Sequence, residues 1–314
     1  MHSEVLFPCC LIGSLHNTEA SRDAAERAVE SGLTMDIDRI DHLLQIGLRN
    51  TGGITVLTGA GISAESGIPT FRGPEGYWTV GSRVYHPQEM ATLEMFRQNP
   101  SAVWQWYLYR LGVCQKAEPN TGHTALIEIA GLFPDRFTLV TQNVDNLHLR
   151  AGHDQHNIYQ IHGNICYWRC ADQCNPKVEP IPKEIRPLEK NEAITQTQWR
   201  LLQCPVCGGL LRPHVLWFDE AYDERYYRLE STLKAAHNTS LLIVVGTSGA
   251  TNLPAQVVWE VYGHGGVIID INPEDNPFSR LAARYQLGAV IRQSSSIALP
   301  MLAQRLKSIL SNDT

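Results

Sequence analysis

Nothing in this chain of 314 residues stays apolar long enough to cross a bilayer; its most continuous apolar runs, Leu241 to Val245 and Val267 to Ile271, have the length of strands. A surplus of positive charge is also missing. Lys and Arg number 26 against 32 Asp and Glu, the formal charge is -6, and no Lys/Arg-rich tract breaks that balance. Neither nucleic acid nor a membrane is therefore expected as a partner. Through Leu33 the N-terminus carries five acidic and only two basic residues, the pattern of neither a secretory signal nor a transit peptide. A cytoplasmic protein is the expectation. Internal repeats and low-complexity tracts are absent.

What is present is enough for a core: 43% of the residues are hydrophobic, 8% aromatic and 18% charged. The length fits one large domain, or one large and one small. Residues 1–35 lack periodicity and read as an N-terminal extension, with 36–314 as the folded part. The eight cysteines, Cys9 and Cys10 of the extension among them, read in a reducing compartment as thiols and metal ligands rather than as disulfides.

Ile37, Ile40, Leu44 and Leu48 recur at helical spacing and are stopped by Asn50, Gly52 and Gly53. The apolar run Ile54 to Leu57 follows as a strand. Further β-rich runs stand at Phe137 to Val140, Leu241 to Val245, Val267 to Ile271 and Ala289 to Ile291. Helical stretches lie around Thr121 to Leu132, Glu224 to Ala236, Pro254 to Tyr262, Ser279 to Tyr285 and Ile297 to Leu310. Strands apolar on both faces, alternating with helices, predict an α/β fold: a Rossmann-like parallel sheet with helices on both faces. Two segments interrupt the alternation, about 75–115, rich in aromatics, and 166–213, with cysteines and prolines. Together they predict a smaller helical and metal-binding lobe, with a cleft against the larger one.

Gly59, Ala60, Gly61 and Ala64 follow a strand in the pattern of a dinucleotide-binding turn, in which glycines let backbone amides approach a pyrophosphate. No acidic residue is clearly placed some twenty positions later, so the ordinary dehydrogenase fingerprint is excluded. The stretch Gly59 to Gly73 is followed by Thr141-Gln142-Asn143-Val144-Asp145-Asn146-Leu147-His148, then Ile161-His162-Gly163, then Gly246-Thr247-Ser248. In this order, over most of Ile37 to Ile291, these motifs resemble the sirtuin family. The resemblance implies an NAD-dependent protein-lysine deacylase, with acyl-lysine proteins as substrates. Gly59, Ala60, Gly61, Glu65, Phe71, Arg72, Val144, Gly246 and Thr247 match its NAD-binding positions, Gln142 and Asn143 its nicotinamide-ribose contacts, Asn143 and Asp145 its nicotinamide pocket, and Ser248 and Asn272 its adenosine side. His162 matches the histidine that deprotonates a ribose hydroxyl. Histidine can take a proton near neutral pH, and with Asn143 it forms the expected catalytic pair.

Cys170 and Cys174, then after a gap Cys204 and Cys207, form two close pairs, the spacing of a structural zinc held by four thiolates; Cys166 stands near enough to be an alternative ligand. Asn99-Pro100 opens a helix on which Val103, Tyr107, Arg110, Leu111 and Cys114 share a face. An arginine on such a stripe is costly to bury without a partner. Tyr107 and Arg110 match the Tyr-x-x-Arg pair by which desuccinylase-type, class III sirtuins bind the acyl carboxylate. Ala91 matches a pocket-widening small residue, and Thr70 a replacement typical of that class. Leu211 to Glu220 resembles the substrate-docking strand, which places Val215, Trp217 and Phe218 against substrate by strand addition. Two departures from the family pattern stand out: Asp219 in place of glycine, and Gly249-Ala250-Thr251-Asn252-Leu253-Pro254 in place of a Val-x-Pro stretch. The expected activity is removal of succinyl or malonyl groups; general deacetylation and NAD hydrolysis or ADP-ribosyl transfer are the alternatives.

Overall fold

The structure is a computed structural model that describes residues 36–69, 78–80 and 83–312. Thr70, Phe71, Arg72, Cys9 and Cys10 lie outside the described residues. The chain divides into two units, Met1–Asp38 and Arg39–Thr314, and the account below concerns the second.

The strands in chain order are β1 (Gly53–Thr58), β2 (Trp78–Val80), β3 (Arg83–Tyr85), β4 (Phe137–Thr141), β5 (Ile158–Gln160), β6 (Gly163–Cys170), β7 (Val178–Pro180), β8 (Leu211–Val215), β9 (Thr239–Val245), β10 (Val267–Ile271) and β11 (Gly288–Ile291). Six of them form one sheet in the order β11-β10-β9-β1-β4-β5, with every pairing parallel. From β1 the chain moves outward through β4 to β5, then returns to β9 on the other side of β1 and moves outward again. The order reverses between β1 and β9, and crevices at such switch points accept ligands at the carboxyl ends of the strands.

Registers bring those ends level. Thr58 lies beside Thr141 and Val245, Thr141 beside Gln160, and Ile271 beside Val245 and Ile291. The residues that leave this row are Gly59, Gln142, Ile161, Gly246, Asn272 and Arg292, so motifs spread over more than 200 positions of sequence arrive along one edge.

Both faces of the sheet are covered, as the unbroken apolar runs require. Leu57, Val140, Leu242, Val244 and Ile268 pack with Leu253, Val257, Val258 and Val261 of the helix Asn252–Gly263. The alternate residues Val56, Leu139, Ile243 and Ile269 point the other way and are equally buried.

The smaller lobe is built from the two interrupting segments. Its antiparallel sheet, β7-β6-β8, shares a core with the helix Pro100–Lys116, whose N-terminus is capped by the Asn99 side chain on the Ala102 amide. Trp104 meets Trp168 edge-on at 6.5 Å, and Phe96 meets Trp217 at 5.2 Å. Of the predicted stripe on this helix, Val103, Tyr107, Leu111 and Cys114 are buried and Arg110 only partly so. Two expectations need correction. The helix foreseen from Glu224 to Ala236 is two, Glu224–Tyr227 and Leu229–His237, broken where Arg228 takes a left-handed φ of 56°. The loop bearing His162 follows β5, for which no apolar run signals a strand because its three residues are too few for a periodicity to show.

Candidate active site

The two turns at the switch point touch backbone to backbone. The Gly61 amide donates to the Gly246 carbonyl at 2.8 Å. A Cβ on Gly61 would stand 2.6 Å from the Gly246 Cα, and one on Gly59 would stand 2.8 Å from the Thr247 Cα. The glycine pattern therefore serves the contact between turns as well as any approach of a phosphate. Asn272 is tied to the same turn, its amide donating to the Thr247 carbonyl at 3.0 Å, while Ser248 beside it is exposed. Ala60 is partly buried at the start of the short helix Gly61–Ala64. Glu65 has a use that its motif does not suggest: it accepts from the Ser296 amide and from the Ser295 and Ser296 hydroxyls at the start of the helix Ser295–Asn312. Against the upward push of partial burial, those hydrogen bonds hold its carboxyl below the usual range.

Behind β4 the chain turns sharply, with Asn146 at a left-handed φ of 68°. Asp145 is buried there, its carboxylate accepting the Ser63 hydroxyl at 2.7 Å and the Leu147 amide at 2.9 Å. Burial raises its carboxyl above the ordinary value, and these hydrogen bonds oppose that rise. Asn143 donates to the same Ser63 oxygen at 3.1 Å. Asn143, Ser63 and Asp145 thus form one polar chain; Ser63 was not singled out in the sequence, although it stands inside the first motif. The Val144 carbonyl accepts the Ile165 amide of β6 at 2.9 Å. Gln142 bridges to β9's turn, donating to Thr247 Oγ1 at 2.8 Å and accepting from the Thr251 hydroxyl at 2.9 Å.

His162 lies 3.0 Å through Nδ1 from the Gln142 carbonyl and 2.8 Å through Nε2 from the Tyr222 hydroxyl. A carbonyl only accepts, so Nδ1 carries the proton and Nε2 presents its lone pair. Desolvation lowers the imidazole to about 4, partly opposed by the Gln142 carbonyl. At neutral pH the ring is uncharged and able to take a proton. Neither Tyr222 nor Thr251 carries a signal in the sequence beyond lying next to, or within, a departure from the family pattern.

Below the edge, three buried imidazoles meet, His123 with His148 at 4.9 Å and His148 with His153 at 5.6 Å. His148 Nε2 lies 3.0 Å from the Thr58 hydroxyl. Desolvation lowers His123 and His153 to about 4 and His148 well below its usual value.

On the smaller lobe, Tyr107 is buried, with its oxygen accepting the Trp217 indole N–H at 2.9 Å; burial pushes its phenol upward. The Arg110 guanidinium lies over the Trp106 ring, 5.3 Å from its centroid. Ala91 is buried and its carbonyl accepts the Phe218 amide at 2.9 Å. Of the docking residues, Val215 and Trp217 are buried in this lobe's core and Phe218 is exposed. Asp219, read as a change in substrate grip, caps the helix Leu93–Gln98 by accepting the Leu93 and Glu94 amides at 2.7 and 3.0 Å.

The four cysteines converge. Among the described residues, Cys170, Cys174, Cys204 and Cys207 bring their sulfurs within 4.8 Å of one another, with Cys170 to Cys207 at 3.6 Å and Cys174 to Cys204 at 3.5 Å. A tetrahedron of zinc–sulfur bonds of about 2.3 Å has edges of about 3.8 Å, so the donor set fits that ion. The Cys207 and Val206 amides draw the Cys204 thiol downward. Cys166 stands outside this group, and Cys170 is the thiol of the first segment that joins Cys174 in it.

Comparison with known proteins agrees with this geometry. A profile described as the Sir2 family matches residues 59–252. A protein of Leptospira interrogans serovar Lai named NAD-dependent protein deacylase is 40% identical over 226 residues, covering 72% of this chain and 83% of its own. Among solved structures, a Sir2 homologue in complex with NAD superposes with a TM-score of 0.70 at 31% identity, covering 86% of this chain and 94% of its own. A mutant Sir2 homologue in complex with 2'-O-acetyl-ADP-ribose gives a TM-score of 0.70 at 32% identity, covering 86% and 97%.

Proposed function

The chain belongs to the Sir2 family, and on that premise we propose that it is an NAD-dependent protein-lysine deacylase acting preferentially on succinyl- and malonyl-lysine. The observation that supports it best is His162: an uncharged imidazole beside Gln142, its tautomer set by the Gln142 carbonyl, with the lone pair of Nε2 directed at a hydroxyl, that of Tyr222.

The two glycine turns offer backbone amides and no side chains to a pyrophosphate, and Asn143 with the buried Asp145 provides a donor and an acceptor suited to a carboxamide. NAD supplies an electrophilic ribose carbon, from which nicotinamide departs as the acyl oxygen of the modified lysine bonds to it. Gln142 positions the ribose. His162 takes a ribose hydroxyl proton at Nε2 and frees that oxygen to attack the acyl carbon; addition of one water there and departure of the lysine amine then give free lysine and 2'-O-acyl-ADP-ribose. The four cysteines hold structural zinc, with no coordination position left for chemistry.

The acyl preference rests on Tyr107 and Arg110. Because the phenol oxygen accepts from Trp217, its own O–H remains to donate to an acyl carboxylate, and the guanidinium of Arg110 offers a planar fork to the same group. Mass spectrometry of acetyl-, succinyl- and malonyl-lysine peptides incubated with NAD and the protein tests the reading. The expected result is fastest loss of the acidic acyl groups with matching 2'-O-acyl-ADP-ribose. Nicotinamide release without acyl transfer would overturn it in favour of NAD hydrolysis, and a preference for acetyl would return the enzyme to general deacetylation.

A further inference from the structure

A tyrosine three residues beyond Asp219 and a threonine of the altered stretch after Ser248 both join the hydrogen bonds around His162. Tyr222 follows the docking strand, and its hydroxyl lies 2.8 Å from His162 Nε2, with the two rings 5.9 Å apart. Thr251 comes from the altered stretch after Ser248, and its hydroxyl donates to Gln142 Oε1 at 2.9 Å. The Gln142 carbonyl in turn holds His162 Nδ1. A chain of hydrogen bonds from Tyr222 through His162 and Gln142 to Thr251 therefore engages both nitrogens of the imidazole.

Each nitrogen of a neutral imidazole makes one in-plane hydrogen bond, and Nε2 has a single lone pair. With Nδ1 committed to a carbonyl, that lone pair is the base's working site, and Tyr222 occupies it. We propose that Tyr222 is a displaceable latch on the catalytic base: its hydroxyl and a ribose hydroxyl compete for the one lone pair of His162, and nucleotide binding exchanges one for the other. The inference rests on the reading of His162 as the base toward NAD. Tyr222 thereby acts through His162, as a positioning residue, and sets part of the cost of seating the distal ribose. Its ring packs against the sheet-side core that contains Val257 and Val258, so Tyr222→Phe removes the hydroxyl and keeps the packing.

The test is calorimetric titration of wild type and Tyr222→Phe with ADP-ribose, which carries the distal ribose, and with ADP, which does not. The latch predicts that ADP-ribose binds Tyr222→Phe about 2- to 10-fold more tightly, the worth of one neutral hydrogen bond, while ADP affinity is the same in both proteins. Tyr222→Leu, in which ring packing is also lost, should show the same selective gain. Equal shifts for both ligands, no shift for either, or weaker ADP-ribose binding by Tyr222→Phe overturns the latch alone. Wild-type protein that binds neither ligand removes the NAD reading, and the latch with it. A steady-state readout adds a check: kcat/KM for NAD should rise with the affinity, and a drop in kcat at unchanged affinity assigns the phenol to the chemistry and rejects its role as a latch.

Discussion

Replacing Arg110 by Met tests acyl selectivity while retaining a long unbranched side chain beside Trp106. On the proposed reading an acyl carboxylate would meet the guanidinium, which lies over Trp106, and the phenol O–H of Tyr107, whose oxygen accepts from Trp217. A charge pair at a largely desolvated site is worth about 2 to 4 kcal/mol when one partner is truncated, so kcat/KM for succinyl-lysine should fall roughly 30- to 1,000-fold. Tyr107→Phe removes one hydrogen bond to a charged group and should cost about 1.5 to 3 kcal/mol. Trp217→Phe leaves both recognising groups in place but frees the phenol to rotate; a smaller loss, about 0.5 to 1.5 kcal/mol, is expected. Acetyl-lysine has no carboxylate to lose, and its turnover should change little or rise. The assay is the ratio of kcat/KM for succinyl- and acetyl-lysine peptides at one saturating NAD concentration. An unchanged ratio in Arg110→Met would show that this arginine serves the packing around Trp106, and the specificity argument would fail.

His162→Tyr should lower deacylation by at least about 100-fold in protein whose circular dichroism matches wild type, because the proton acceptor is lost; near wild-type turnover by the folded variant would refute the base assignment. One equivalent of zinc should co-purify, and chelation should lower the melting temperature, since metal binding contributes to folding; folded, active protein without zinc in elemental analysis would refute the thiolate site. Stability should fall on acidification from about pH 6.5 toward pH 4. His123, His148 and His153 stay neutral when folded, with desolvation lowering His123 and His153 to about 4 and His148 well below its usual value, whereas in the unfolded chain they bind protons from about pH 6.5 downward. Their stabilising contribution is therefore present above that pH and lost below it. Asp270, raised to about 7 by burial, binds its proton earlier in the folded state and offsets one histidine. Urea midpoints at pH 7 and 5 should differ, and His153→Asn should flatten the dependence by about one proton; an identical slope in that variant would contradict the role of the cluster.

The sequence shows the sheet clearly because its strands are buried on both faces and their apolar runs are unbroken. It shows the site because each motif directly follows such a run, and level registers then align Gly59, Gln142, Gly246 and Asn272. What it hides is contact between segments distant in sequence. No spacing rule connects Tyr222 to His162, or Trp217 to Tyr107, since each pair meets only when β8 has docked on β6 and the helix Pro100–Lys116 has packed beneath it. The partners of Glu65 and Asp219 are hidden for another reason. Short acidic side chains near helix N-termini cap readily, and in both residues that local chemistry accounts for the carboxylate's observed partners. The break at Arg228 was missed because the apolar periodicity on either side of it stays helical.

β6 begins at Gly163, one residue beyond His162, and ends at Cys170, a thiol of the metal group. It pairs with β8 at both ends, Gly163 opposite Val215 and Cys170 opposite Leu211, and in the irregular stretch between them Ile165 turns to the Val144 carbonyl beside Asp145. Gly163 cannot be exchanged there: its φ is 81°, and a Cβ would stand 2.1 Å from the His214 carbonyl oxygen. A segment that looks like an inserted cassette from Cys166 onward is therefore not modular. The boundary suggested by its composition falls inside a strand that starts one residue after His162 and whose first half braces the Asp145 turn. Grafting another family member's cysteine-bearing lobe onto this sheet would have to transplant His162 to Val215 as one piece, and the helix Pro100–Lys116, which shares a core with β6 and β8, would have to travel with it.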